Sequence, residues 1–242
     1  MQDWFENVKR LFILNFIDDN RWRFLLSGLG VTLQITFFAL LIGTAIGVII
    51  AIVRSTYDKN AETMRRGAGR HILRVCNAIC KVYLTVIRGT PVVVQLMIFY
   101  FVVFVSIKSG ALIGIFAFAI NSGAYIAEIF RSGIMSIDAG QFEAGRSLGF
   151  NYIQTMWYII VPQAFKNILP TLASEFIVLL KETAVVGYVA TQDLTKAGDI
   201  IRGRTYTAFM PLIAVAITYL VLVVFFTRIV SKLERRLRGS ER

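Results

Sequence analysis

The chain has 242 residues, of which 56% are hydrophobic and 17% charged, with a formal net charge of +11 and a mean hydropathy of +0.65. Soluble domains carry about 25% charged residues, so this composition leaves too little polar surface for a water-soluble fold. It predicts an all-α integral membrane protein crossing the bilayer several times. Charges bound the apolar runs cleanly: no Asp, Glu, Lys or Arg occurs in 24–53, 89–107, 109–127, 147–165 or 205–227. Each run is long enough, at about 1.5 Å per residue, to cover a hydrocarbon core of about 30 Å.

The opening "MQDWFENVKRLFILNFIDDNRW" has scattered acids and no small-residue cleavage site, so the first span is expected to be its own insertion signal. Between the first two runs, residues 54–81 hold seven basic residues against Asp58 and Glu62. Residues 228–242 hold six against Glu234 and Glu241. The first 23 residues and the stretch 175–204 each balance four basic against four acidic residues. The positive-inside rule then predicts five spans, with the N-terminus and 175–204 outside and the 54–81 loop and C-terminus in the cytoplasm. A basic stretch beside a span reads as topology, not as a nucleic-acid site. His71, Cys76 and Cys80 share that loop, but no carboxylate is spaced to complete a metal site with them.

Several polar residues interrupt the later runs. In "RGTP" (88–91) Thr90 could cap and Pro91 begin a new helical segment whose free N–H groups suit a carboxylate; Arg88 could equally sit among headgroups. Gln95 follows within the run. Gly43 and Gly47 have the spacing of close helix packing. Asn121 and Tyr125, four apart on one face, could line a cavity or bond neighbouring helices. Ionisable residues inside spans read as functional: Glu128 is a pathway carboxylate or the i,i+3 partner of Arg131, and Glu175, facing either the bundle or the outer surface, is the better candidate for a substrate's amino or side-chain cation. The connector "SIDAGQFEAGRSLG" (136–149) predicts a short cytoplasmic surface helix with a partly apolar stripe of Ile137, Ala144 and Leu148; it either offers Asp138, Gln141, Glu143 and Arg146 to something in the cytosol or is an ordinary connector with a Glu143–Arg146 surface pair. "TQDLTKAGDIIRGRTY" (191–206) is a solvated loop or a docking surface.

Four stretches resemble one family. "EAGRSLGFNYIQTMWYIIVP" is similar to the EAA signature of permease subunits of bacterial ABC importers, with Glu143, Ala144, Gly149, Ile159 and Pro162 in register. Gly145 stands for the second Ala and Val161 for a Leu; Gly145 costs a helix about 0.8–1 kcal/mol relative to Ala. "RGTPVVVQLMIFY", "NSGAYIAEIFRSGI" and "LLKETAVVGYV" look like segments of the polar amino-acid subfamily. The resemblance implies a five-helix type I importer permease core, N-out and C-in, in the bacterial inner membrane. Its transmembrane domain would span 24–235, after an extracytoplasmic segment 1–23 and before a cytoplasmic tail 236–242.

The resemblance further implies a coupling helix at 137–149, with Asp138, Gln141, Glu143, Ala144, Arg146 and Gly149 toward a cytosolic ATPase. Pro162 would end or kink the next helix. Thr90, Gln95, Asn121, Tyr125, Glu128 and Glu175 would face a polar amino acid. Partners would be two ATPase subunits, a second permease chain (the same or a related one) and an extracytoplasmic binding protein. No GxxxxGK[ST] occurs, so ATP and Mg²⁺ would belong to the ATPases and this chain would hold no cofactor. The rival classes fit less well: a secondary transporter calls for internal repeats, an intramembrane enzyme for a catalytic constellation, and a channel for conduction without ATPase partners.

Overall fold

The computed structural model describes residues 2–60 and 67–239, apart from the side chains of Gln2, Asn60, Arg238 and Gly239. Residues 61–66 and 240–242, which carry part of the two basic segments, lie outside the described residues. Every regular element among the described residues is helical. In chain order they are α1 (Gln2–Phe12), a π turn (Ile13–Ile17) and a 3-10 turn (Asp18–Asn20), then α2 (Trp22–Asn60) and α3 (Ala68–Gly89). Next come α4 (Val92–Ile98), which continues as a π turn (Phe99–Val103), α5 (Gly110–Met135), α6 (Ala139–Ser147) and α7 (Tyr152–Thr155). A π turn (Met156–Ile160) leads into α8 (Val161–Glu182), followed by a 3-10 stretch (Thr183–Val189), α9 (Leu194–Thr205) and α10 (Phe209–Gly239).

By length and composition α2, α5 and α10 can each cross a membrane, and α3 with the α4 stretch adds a fourth if the two form one broken span. The charge-free runs mark the apolar part of these helices, not their ends. Helix α10 continues past Thr227 through Arg228, Lys232 and Arg235 because Lys, Arg and Glu are good helix formers.

The run 147–165 is displaced. Its first residues close α6 and form the turn after it; the helix begins at Tyr152 and persists through Lys166, Glu175 and Lys181 to Glu182. Capping chemistry, not hydropathy, sets that start. Nor does Pro162 end the helix. It is the second residue of α8, directly after the π turn, where the Val161 N–H donates to Met156 O, five residues back. The widened turn absorbs the strain that proline, lacking an N–H, places on the preceding turn.

The chain forms two compact units. The first comprises Met1–Ala39, Val92–Phe118 and Ile177–Arg228. Its core is built from Ile35, Ile113, Phe118, Leu180, Val186, Leu194 and Ile201, all fully buried. The second comprises Leu40–Pro91, Ala119–Phe176 and Ile229–Arg242. There Gly43 and Gly47 of α2 pack on α5: a Cβ at Gly43 would collide with Ser122 Oγ, and one at Gly47 would lie 2.6 Å from Ile126 Cγ2. The close-packing expectation for this glycine pair is met, since backbones approach this closely only where no side chain intervenes. A second cluster in the same unit joins Ile134, Ile160, Ala164 and Ile168.

Candidate functional site

The short helix α6 is defined by its two ends. At the first, the Asp138 carboxylate accepts the Gly140 N–H at 2.7 Å, satisfying a donor that has no intrahelical partner. At the other, Gly149 N–H donates to Arg146 O at 2.9 Å and Phe150 N–H to Gly145 O at 3.0 Å. This pairing is a Schellman closure, and it places Gly149 at φ +82°. The glycine of the signature thus has a backbone reason: side-chain-bearing residues pay for the left-handed region. Gly149→Ala is expected to cost about 1 kcal/mol, read as a lowered melting temperature of the detergent-solubilised chain. Asn151 then opens α7 with a capping box, its side chain accepting the Gln154 N–H while Gln154 Oε1 accepts the Asn151 N–H, each at 2.9 Å.

Asp138, Gln141, Glu143, Ala144 and Arg146 are all exposed on this helix, as is Gly149 just beyond it. Glu143 and Arg146 line a groove of about 230 Å³ with Lys59, Ala139, Phe142, Tyr152 and Thr155. Lys59 Nζ stands 4.4 Å from the centre of the Phe142 ring, a cation–π contact.

Two expectations for this helix need correction. The stripe of Ile137, Ala144 and Leu148 is not its inner face: Ala144 is exposed and Leu148 is 71% exposed, and only Ile137 reaches the apolar cluster. The inward contact is made by Phe142 and Gly145. Gly145 is buried against α7: a Cβ there would lie 2.6 Å from Thr155 Cγ2 and 2.7 Å from Thr155 Oγ1. What reads in the sequence as lost rigidity is a close docking of α6 on α7. Secondly, the Glu143–Arg146 pair does not form, and among the described residues neither side chain has an ion-pair partner.

A separate cavity of about 610 Å³ in the second unit is lined by Arg54, Lys81, Leu84, Thr85, Arg88, Gly89, Tyr125 and Glu128. It collects two of the six residues expected to face a substrate, Tyr125 and Glu128. The Arg88 guanidinium lies 5.5 Å from the centre of the Tyr125 ring. Glu128 accepts from Arg131 Nε at 2.9 Å and lies 3.9 Å from Arg54, while Arg131 also reaches Asp58 at 3.4 Å. Glu128 therefore combines both sequence readings, lining the cavity and pairing with Arg131. Three cations on the wall against one carboxylate, itself paired outside, leave the cavity electropositive. Thr90, Gln95, Asn121 and Glu175 are not in this lining. The Thr90 hydroxyl donates to Val86 O at 2.8 Å, Gln95 and Asn121 are buried, and Glu175 is half-buried on α8.

In the first unit the structure overturns the reading of 191–206 as a loop. Twelve of its residues form α9, with Leu194, Ala197 and Ile201 fully buried. Asp193, also fully buried, caps this helix by accepting Thr195 N–H at 3.2 Å and Lys196 N–H at 2.9 Å. Leu194 N–H donates to Thr32 Oγ1 at 3.1 Å. At its other end, Asn15 Oδ1 accepts the Thr205 and Thr207 hydroxyls at 2.8 and 2.7 Å. The sequence carried a signal for part of this: an aspartate just before "LTKAGDII" is a helix start. The partners of Asn15, 190 and 192 residues away, carry no local signature. On the exposed side, Lys196 and Arg202 both pair with Asp199 at 3.0 and 2.5 Å, and together they hold its carboxyl below the ordinary carboxylate range. No group of three His, Cys, Asp or Glu residues able to hold a metal occurs among the described residues.

Residues 66–239 match the family described as binding-protein-dependent transport system inner membrane component. The chain is 35% identical over 228 residues to the arginine transport system permease protein ArtQ of Bacillus subtilis, covering 90% of this chain and 94% of that one. It is 35% identical over 168 residues to the glutamine transport system permease protein GlnP of Escherichia coli K12, covering 68% and 77%. Among solved structures, a chain of an amino acid ABC transporter crystallised with histidines is 39% identical with TM-score 0.79, over 91% of this chain and 98% of that one. A chain of the MetNI methionine ABC transporter, 21% identical with TM-score 0.74, shares the fold over 89% and 97%.

Proposed function

The chain belongs to the family of inner-membrane components of binding-protein-dependent transport systems, and on that premise we propose that it is the permease subunit through which an ABC importer brings a polar amino acid into the cytoplasm. Relatives named for arginine and glutamine transport support the substrate class. Two cytosolic ATPase subunits bind and hydrolyse ATP with Mg²⁺; a second permease chain completes the pathway, and an extracytoplasmic binding protein delivers the substrate. The N-terminus lies outside and the C-terminus inside.

The observation that carries this reading is α6: a nine-residue helix capped at both ends, with Glu143 and Arg146 exposed and without an ion-pair partner among the described residues, and docked through Gly145 onto Thr155. Seated in an ATPase cleft, such a helix moves as one piece with α7 and the helix that follows. ATP-driven closure of the ATPases thereby becomes a displacement of α8 and drives alternating access. In the basic cavity the cations of Arg54, Lys81 and Arg88 receive the substrate's carboxylate, and Glu128 with Tyr125 receives its ammonium group. Glu175, the other candidate for the substrate's cation, lies outside this lining.

The test is a pull-down of tagged chain from its native membranes beside a Glu143→Lys variant, with partners identified by mass spectrometry. The parent is expected to bring down a nucleotide-binding subunit, and the variant about tenfold less, equivalent to about 1.4 kcal/mol of binding. Full retention in the variant removes Glu143 from the coupling site. Absence of any nucleotide-binding protein from the parent moves the chain to the secondary-transporter class.

A further inference from the structure

The first helix has a surface for which the transport reading gives no use. At 100° per residue, Trp4, Phe5, Val8, Leu11 and Phe12 fall within an arc of about 120° on α1, with Asp3, Glu6, Asn7, Lys9 and Arg10 outside it. Trp4 is 65% exposed, Phe5 67% and Phe12 50%, and Ile13 and Ile17 in the next turns are exposed as well. A free aromatic face of this size is costly in water.

We propose that α1 is an interfacial anchor, lying along the bilayer surface with this face sunk into the boundary between headgroups and acyl chains. Continuity with the first span identifies the occupant as lipid. Only residues 13–21 separate α1 from α2, and they are wound into a π turn and a 3-10 turn, so α1 stays within about 20 Å of the point where that span begins. Trp22 opens the span with the Arg23 guanidinium 5.6 Å from its ring centre, the aromatic-and-cation pairing found at a membrane–water boundary. The two acids and two bases of α1 cancel, so attachment runs on apolar area and not on attraction to anionic lipid.

The anchor is also coupled to the fold. Asn15, just past α1, donates from Nδ2 to Leu11 O at 2.7 Å and accepts the Thr205 and Thr207 hydroxyls. It ties α1 to the corner between α9 and α10. A helix held at the interface therefore fixes the depth of that corner.

The test uses the full chain carrying Trp22→Phe and Trp157→Phe, which leaves Trp4 as its single tryptophan, in nanodiscs whose phosphatidylcholine is brominated at acyl positions 6 and 7. Trp4 fluorescence is expected to fall about twofold relative to unbrominated nanodiscs, equally in neutral and anionic lipid, with weak quenching by acrylamide. Adding Phe5→Asp and Phe12→Asp is expected to abolish the bromine effect while the melting temperature stays within a few degrees. Strong acrylamide quenching without bromine quenching places the face in water and overturns the proposal. Protection from both quenchers shows that protein covers it, which overturns the proposal equally.

Discussion

Replacing Asp193 by alanine is expected to destabilise the chain by about 2–3 kcal/mol, measured as a loss of thermal stability in detergent. The carboxylate is fully buried and accepts two N–H groups of the first turn of α9. Thr32 satisfies the third, from Leu194, and alanine removes the acceptor of the other two. Crowding makes relief by water costly: a Cβ at Gly28 would already lie 2.6 Å from Asp193 O. Asp193→Asn, which keeps one acceptor oxygen, is expected to cost less than half as much.

The same burial gives a pH signature. It pushes the Asp193 carboxyl above its ordinary value of 3.8, against the pull of its hydrogen bonds from Thr195 and Lys196. The folded state then holds its proton more tightly than the unfolded state. Its contribution to stability is greatest below the ordinary value and declines as pH rises from there to the raised folded value. The difference in melting temperature between the parent and Asp193→Asn is expected to change across that window and to level off above it. A difference that stays flat as pH rises above the ordinary carboxylate value would show that the carboxyl is not perturbed.

The second large effect is epistatic. Gly145→Ala moves the sequence toward the EAA pattern and adds helix propensity of about 1 kcal/mol, yet it is expected to damage the protein. The new Cβ would overlap both Thr155 Cγ2 and Oγ1, and overpacking typically costs about 1–3 kcal/mol. The net result is a shifted α6 and a several-fold loss of uptake by the assembled importer. Thr155→Ala removes both offending atoms, leaving its Cβ at 3.2 Å from the added carbon. The double variant should therefore recover most of the loss, with a coupling energy of about 1–2 kcal/mol. Additive effects of the two substitutions would show that the close approach of α6 to α7 does not hold the helix in place.

These two sites mark the division between sequence and fold. The charge-free runs, the basic segments, the helix-packing glycines 43 and 47, and the signature around Glu143 are all local patterns. They determined an all-helical membrane protein and the position of its short exposed helix, because hydropathy and capping act over a few residues. The reason for Gly149 was within reach of the same rules, since helices commonly end on a glycine in the left-handed region.

Other features depended on partners distant in sequence. Glycine at 145 looked like a weakened alanine until Thr155 was found against it, because steric exclusion is a property of the pair. The stretch 191–206 looked like a solvated loop because its charges lie in sequence among residues whose neighbours, Thr32 and Asn15, come from elsewhere in the chain. Glu128 carried two incompatible-looking readings that the fold reconciles, since one carboxylate oxygen meets Arg131 while the other lies on the wall beside Arg54. The sequence alone determined which residues must leave water, whereas the tertiary structure decided which polar groups go with them, because a buried hydrogen bond or a missing Cβ has meaning only once both of its surfaces are in place.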